Sequence, residues 1–191
     1  MAFTAADVKK LREMTSVGMM DCKKALTEAD GDFDKAIEIL REKGLAKAAK
    51  KADRIAAEGM VCAKVCDECG IGAIIEVNSE TDFVAKNADF QKFVNDLAAV
   101  VIKSNPADVE ALKACDMDGM TVEAALQEKI LTIGENIQIR RFARYDANTV
   151  NVAYNHMGGV IGVLVALEVS ENLKGNATVL ALGKDIGMQA A

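Results

Sequence analysis

Apolar and polar positions alternate with different periods in different parts of the chain. After Asp89, the residues Phe90, Phe93, Val94, Leu97, Val100 and Val101 recur at helical spacing. They predict a helix with a broad apolar stripe, which needs a sheet face to cover. The nearest candidate lies just before it. Residues 60–65 and 71–77 read as two strands joined by a turn at 67–70, a β-hairpin. Between hairpin and helix runs Asn78-Ser79-Glu80-Thr81-Asp82-Phe83-Val84-Ala85-Lys86-Asn87, which turns the chain from strand to helix. Phe83 falls outside the main period of that helix. Two readings stay open for it: a plug under the strand–helix corner, or an exposed aromatic anchor for a partner.

The first 44 residues carry the pattern of three short helices. Thr4 caps the first, with Asp7 as a short capping-box partner, and Val8 and Leu11 mark its apolar side. Gly18 separates it from a second helix whose face is Met19, Cys22, Leu26 and Ala29. Met19 and Met20 are consecutive, so both cannot point into one core, and one is expected to face outward as an adaptable contact. Asp30-Gly31-Asp32 is a turn, Asp32 an N-cap, and Phe33, Ala36, Ile37 and Leu40 form the third face, with Gly44 as its stop. Residues 45–58 read as an Ala-rich helical linker bearing Lys47, Lys50, Lys51 and Arg54. Without interleaved aromatics in an acidic chain, these cations read as a solvated face and not a nucleic-acid patch.

Beyond Pro106 the chain is turn-rich, with a helical piece near 109–114. A helix follows from a Thr121 cap through Val122, Leu126 and Ile130 to Gly134, and then an extended run to Tyr145. A weak internal repeat ties these blocks together. Ile71-Gly72-Ala73-Ile74-Ile75-Glu76-Val77-Asn78-Ser79-Glu80 resembles Ile161-Gly162-Val163-Leu164-Val165-Ala166-Leu167-Glu168-Val169-Ser170-Glu171 with one insertion. Each stretch follows an extended run with a Gly-bearing turn and precedes a helical segment. The expected fold is therefore α+β: a three-helix module (1–44), the helical linker (45–58), and two similar hairpin-plus-helix core subdomains, 59–134 and 135–191. The second copy has Asn172-Leu173-Lys174-Gly175-Asn176 where the first has Thr81-Asp82-Phe83-Val84, so only one scaffold carries the aromatic. That difference favours the anchor reading of Phe83.

Composition narrows the function. With 191 residues, 51% apolar and 27% charged, a packed core is expected. A net charge of −6 argues against a protein built to grip phosphate backbones. Asp7, Lys9 and Lys10 interrupt any signal-peptide core, and the longest apolar stretch, 158–169, is too short to span a bilayer. The expectation is a soluble, cytoplasmic protein. The five cysteines are Cys22, Cys62, Cys66, Cys69 and Cys115. Cys66-Asp67-Glu68-Cys69 is a C-x-x-C lacking the second pair that a zinc site uses. It sits in a turn and not at a helix start, where redox pairs usually sit, so loop cysteines are expected. His156, the one histidine, lies in a turn with no nucleophile pattern nearby. Gly183-Lys184 is followed by Asp185, so no phosphate-binding loop is present. Asp116 and Asp118 read as turn residues. No catalytic set, cofactor or metal is expected.

Four motifs then carry a resemblance. They are Thr15-Ser16-Val17-Gly18-Met19-Met20-Asp21-Cys22-Lys23-Lys24-Ala25-Leu26, Ala48-Ala49-Lys50-Lys51-Ala52, Thr81-Asp82-Phe83-Val84-Ala85-Lys86-Asn87 and Ile133-Gly134-Glu135-Asn136-Ile137-Gln138-Ile139-Arg140-Arg141. In this order, over nearly the whole chain, they closely resemble the bacterial translation elongation factor Ts family. The resemblance implies an N-terminal module like ubiquitin-associated domains and a core of two similar subdomains. It implies a guanine nucleotide exchange factor for elongation factor Tu, a GTPase, with no direct nucleic-acid or membrane partner. It implies that Asp82 and Phe83, within Thr81, Asp82, Phe83 and Val84, reach the magnesium and phosphate site of the GTPase, where the Phe wedges and disturbs magnesium binding. Leu11, Met19 and Met20 would grip a helix of the same domain. His156, in the Tyr154-Asn155-His156 turn, would reach toward the phosphate-binding loop, and Ile133 would add a further contact. The alternative is a binding module that docks on the GTPase without efficient exchange. Many members continue further, with a coiled-coil insertion and a C-terminal module, whereas here the second repeat stops inside its helix at Ala191, so the second subdomain reads as truncated, either in a fragment or in an unusually short member.

Overall fold

The computed structural model describes residues 3–15 and 17–191, leaving out the side chains at 45 and 47–49. The helices α1 (Ala5–Thr15), α2 (Met19–Glu28) and α3 (Phe33–Lys51) come first. Strands β1 (Glu58–Val65) and β2 (Gly72–Ser79), the one-turn helix α4 (Asp82–Ala85), α5 (Ala88–Ser104) and α6 (Val109–Ala114) follow. Then come the two-residue strands β3 (Asp116–Met117) and β4 (Met120–Thr121), α7 (Val122–Ile133), β5 (Gln138–Tyr145), β6 (Val150–His156), β7 (Ile161–Leu167) and α8 (Ala177–Ala190). The class is α+β, as the periodicities predict. The chain forms two compact units, Met1–Ile55 with Ala124–Asn136, and Ala56–Glu123 with Ile137–Ala191.

In the first unit, α1 starts with the capping box expected from Thr4 and Asp7. The Thr4 N–H and hydroxyl each donate to Asp7 Oδ2 at 2.7 Å, and the Asp7 N–H donates back to Thr4 Oγ1 at 3.4 Å. Asp32 caps α3 by accepting from the Lys35 N–H at 3.0 Å. Val8, Leu11, Cys22, Ala25, Leu26, Ala36 and Leu40 are buried as one cluster, with Phe33, Ile37 and Leu131 packed against it. Three expectations change here. Gly44 does not stop α3, which runs on to Lys51. It is buried inside the helix, where a Cβ would lie 3.3 Å from Leu131 Cδ2, so it marks a close approach and not an end. Of the linker, 45–51 is therefore part of α3, and the chain after it is turn and coil up to β1. The Lys47 side chain lies outside the described residues, while Lys50 and Arg54 are exposed. Met19 does not join the buried face of α2: it is exposed along with Met20, and Ala25 takes its place. Leu11 is fully enclosed, with consequences for its expected role.

The second unit is built on a three-stranded antiparallel sheet of order β1-β2-β5. Its hairpin has the register Met60↔Val77 and Cys62↔Ile75. The stripe of α5 (Phe90, Phe93, Val94, Leu97, Val101) is buried, and α5 lies across β1 and β2. Each such side chain contributes roughly 1.5–3 kcal/mol by leaving water, so this layer dominates the unit's stability. Gly59 is obligatory at the start of β1. Its φ is +126°, and a Cβ there would sit 2.2 Å from the Val77 carbonyl oxygen. The extended run after Gly134, grouped by sequence with the second hairpin, instead supplies β5 to the first sheet. It pairs Ile75↔Phe142 and Val77↔Ile139 across a bulge at Glu76/Val77. Alternation fixes which face of a strand is buried but not which strand it pairs with.

The second hairpin, β6 with β7, has the register Val152↔Val165 and His156↔Ile161. Helix α8 lies against both strands. It approaches closely through Gly183 and Gly187, whose added Cβ atoms would meet Val152 and Tyr154 at 2.6 and 3.0 Å. Each hairpin thus has its own covering helix. The second hairpin is clamped to the edge of β1. Asn155 Oδ1 accepts from the Ala63 N–H and Asn155 Nδ2 donates to the Ala63 oxygen, both at 2.8 Å. The Val61 N–H donates to the Gly159 oxygen at 2.7 Å. An edge strand that would otherwise offer free N–H and C=O groups is thereby satisfied. These bonds also bring the β6–β7 turn beside the start of β1, next to the strand–helix corner.

Candidate partner-binding site

The corner that carries Phe83 is held from below and from both ends. Ser79, buried at the end of β2, donates its hydroxyl to the Thr81 carbonyl at 3.0 Å. Thr81 is extended (φ −127°, ψ 155°) and opens α4. On the far side, Asn87 Oδ1 caps α5 by accepting from the Asp89 and Phe90 N–H groups at 2.8 and 3.2 Å. Gln91 Nε2 donates to the Ala85 oxygen at 3.1 Å. Val84 is the plug, only 8% exposed. Phe83, one residue earlier, is 80% exposed. The turn of α4 rotates consecutive side chains about 100° apart, so when Val84 faces the core Phe83 faces solvent. Of the two readings open for Phe83, the structure supports presentation.

Asp82 stands beside it. Its Oδ2 pairs with Lys86 Nζ at 2.6 Å, one helical turn on. The Lys86 ammonium, first through this hydrogen bond and then through its charge, holds the Asp82 carboxyl below the usual carboxylate range. Asp82 and Lys86 line an open concavity of about 380 Å³, whose other walls include Glu58, Gln91, Met157 and Val160. The β6–β7 turn therefore contributes two apolar side chains to the rim, Met157 (74% exposed) and Val160. Met157, Gly158 and Gly159 all have positive φ, at 49°, 71° and 99°, which a tight turn of this shape demands.

Of the expected residues, the fold gathers Thr81, Asp82, Phe83 and Val84 on one turn, with His156 at the base of the neighbouring one. His156 is half-buried and its Nδ1 lies 2.9 Å from Tyr154 Oη, so the pair braces the turn from the strand side. Asn155 between them is the clamp on β1 already described. Met19 and Met20 are exposed on the first unit, and Ile133 is half-buried there at the end of α7. Leu11 departs from expectation. At 0% exposure it is enclosed in the three-helix core and presents nothing to a partner. A leucine on the apolar side of an amphipathic helix is taken up first by its own bundle. Met157, Val160 and Lys86 were missed by sequence reasoning. The available signal was a bulky apolar residue directly before two glycines in a hairpin turn, where polar residues are usual.

Among the described residues, no group of three or more His, Cys, Asp and Glu side chains is placed to hold a metal ion. Among them too, no helix is long and apolar enough to cross a membrane. The arrangement offers a carboxylate–ammonium pair and two apolar side chains around one concavity, with an exposed aromatic, Phe83, on the turn that carries Asp82, the equipment of a contact surface.

Comparison with known proteins agrees with the four motifs. The family model described as Elongation factor TS matches residues 80–191. Similar curated proteins, each named Elongation factor Ts, include those of Clostridioides difficile (49% identical over 98% of this chain), Syntrophotalea carbinolica (53% over 100%) and Cereibacter sphaeroides (55% over 90%). The chain spans about three-fifths of these relatives, 61%, 63% and 58% of their lengths. With more than half of its residues matched by that model, and about half of its positions identical to these relatives, the chain belongs to the elongation factor Ts family of translation elongation factors.

Proposed function

We propose that this chain is a guanine nucleotide exchange factor that binds elongation factor Tu carrying GDP and promotes release of the nucleotide. The observation that carries this reading is the presentation of Phe83: fully outward on a turn braced by Ser79, Val84, Asn87 and Gln91, with Asp82 beside it. A wedge must be stiff at its base, because a mobile aromatic loses on ordering what it gains on insertion. Thr81, Asp82, Phe83 and Val84 form the wedge, in which Val84 fixes the turn and Phe83 enters the partner near its magnesium and phosphate site. Met157 and Val160 extend the apolar contact, and His156 supports their turn. Met19 and Met20, exposed and adaptable, grip a partner helix from the three-helix module. Leu11 acts there through packing. Ile133 is carried along as a peripheral contact.

No catalytic acid or base is needed for this task. The protein acts by binding best to the partner conformation that holds GDP poorly. Such coupling is reciprocal, so nucleotide weakens binding of the factor by the same ratio. Each tenfold loss of GDP affinity requires about 1.4 kcal/mol of coupling. A buried aromatic hot spot supplies about 2 kcal/mol or more. A translation factor acting on such a partner works in the cytoplasm, on protein and not on nucleic acid.

The test is release of labelled GDP from elongation factor Tu at increasing concentrations of the chain. Acceleration that saturates supports the reading, and release at the unassisted rate refutes it. A second reading, docking without efficient exchange, is favoured by one observation. Met19 and Met20 belong to a different compact unit from Phe83, so docking through the first is separable from wedging by the second. Under that reading, binding is detected while the release rate stays unchanged.

A further inference from the structure

We propose that Cys66 and Cys69 form a reversible dithiol–disulfide pair, a hydroperoxide-reactive modification site at the tip of the β1–β2 hairpin. The turn folds the C-x-x-C back on itself. The Cys66 N–H donates to the Ile71 oxygen at 2.9 Å, and the Gly70 N–H donates to the Cys66 oxygen at 2.8 Å. Gly70, at φ +68°, closes the loop in a conformation that side chains resist. The Cys69 N–H then points at the Cys66 sulfur, with a nitrogen–sulfur distance of 3.3 Å. The loop is fixed from outside by the buried Asn151, whose Nδ2 donates to the Gly70 oxygen at 2.8 Å. Redox pairs that open a helix obtain an N–H aimed at sulfur from the helix terminus. Here a hairpin turn supplies it.

The five thiols are not equivalent. Cys22 and Cys62 are buried, and their sulfurs donate to the Val17 oxygen and to Asn95 Oδ1. Burial also pushes the Cys62 thiol up. Cys115 is engaged with the Ala111 oxygen at 3.3 Å. Cys66 is part-exposed and Cys69 exposed. The Cys69 thiol, and then the Cys69 N–H, draw the Cys66 thiol below its ordinary range, while Cys69 is raised in response. That asymmetry assigns the roles: Cys66 attacks as thiolate and Cys69 resolves. A metal would need further ligands, and among the described residues no cluster supplies them.

The chemistry balances with a hydroperoxide as oxidant. The Cys66 thiolate attacks the distal peroxide oxygen, the O–O bond breaks, and an alcohol or water leaves with one proton. Cys66 is left as the sulfenic acid. The Cys69 sulfur then attacks the Cys66 sulfur, the S–S bond forms, and the sulfenic oxygen leaves as water with the Cys69 proton. Two thiols are oxidised by two electrons and one peroxide is reduced. A dithiol reverses the change by exchange.

The experiment treats the reduced chain with hydrogen peroxide and follows intact mass and disulfide-mapped peptides. The expected product is about 2 Da lighter, carries one Cys66–Cys69 bond and returns to the starting mass with dithiothreitol. Cys66 should react at least about tenfold faster than the other thiols. In Cys69→Ser, oxidation stops at a Cys66 sulfenic acid that dimedone captures, and in Cys66→Ser the turn stays unmodified at the same dose. Both sites lie in an exposed turn, and unchanged circular dichroism of the two variants verifies their fold. Four results would each overturn the proposal: first oxidation at Cys22, Cys62 or Cys115; a bond between two chains; wild-type behaviour of both variants; or uptake of one zinc ion per chain that protects both thiols.

Discussion

Phe83 and Val84 are neighbours in the chain and opposites in the fold: Phe83 is 80% exposed and Val84 8%. One residue of helical rotation separates a presented aromatic from the plug that holds it in place. Their substitutions should therefore separate stability from function. Phe83→Ala should leave unfolding in urea within about 0.5 kcal/mol of wild type while slowing GDP release about tenfold or more, since losing an aromatic anchor costs about 2 kcal/mol. Val84→Ala should cost about 2 kcal/mol of stability from lost burial. An unchanged release rate in Phe83→Ala would return Phe83 to the rank of surface residue.

The same logic divides Leu11 from Met20. Leu11 is enclosed by the three-helix core, and Met20 is 64% exposed. Leu11→Ala should destabilise the first unit by about 2–5 kcal/mol, enough to unfold a small bundle. Met20→Ala should leave its melting unchanged and weaken binding to elongation factor Tu. Differential scanning calorimetry paired with a binding titration tells the two apart. A stable Leu11→Ala protein with lost binding would show that Leu11 contacts the partner directly.

Asn155 is a structural residue in the middle of a turn expected to make contacts. Asn155→Ala removes two hydrogen bonds and leaves the Ala63 N–H and C=O without their partners. The expected loss is about 2–4 kcal/mol of stability, measured by denaturant unfolding. The Met157–Val160 rim moves with the hairpin, so exchange should fall as well. Asn155→Asp keeps one acceptor and should recover part of the stability.

Lys86 controls the ionisation of Asp82. Because the folded pKa of Asp82 is depressed, the pairing contributes fully above the ordinary carboxylate value of 3.8 and is lost as pH falls through the lower folded value. The pair is exposed, so global stability should change little. The sensitive observable is the Asp82 carboxyl carbon in an NMR titration. In Lys86→Ala its midpoint should rise toward 3.8, and an unmoved midpoint would show that Lys86 is not the cause.

Much of the fold was legible because it is local. The Thr4–Asp7 box, the Asp32 cap and the apolar stripe of α5 depend on residues within a few positions of each other. So do the two hairpins, and the chain forms them where their periods say. Four motifs in order sufficed for the family. The rest depends on pairings across long stretches of chain. That β5 completes the first sheet, that Gly44 is packed against Leu131 within a continuing helix, and that Leu11 is enclosed while Met19 is not, all follow from which surfaces meet. Periodicity marks a side chain as apolar without saying what covers it. The candidate site shows the same division. Thr81, Asp82 and Phe83 stand out in the sequence, but the side on which Phe83 emerges was set by Val84 finding the core first. Met157 reached the same concavity as Asp82 because Asn155 and Gly159 bind the edge of β1, 92 residues from Asn155 to its partner Ala63. Hydrogen bonds of that sequence separation leave no period to read, and only the closed fold reveals them.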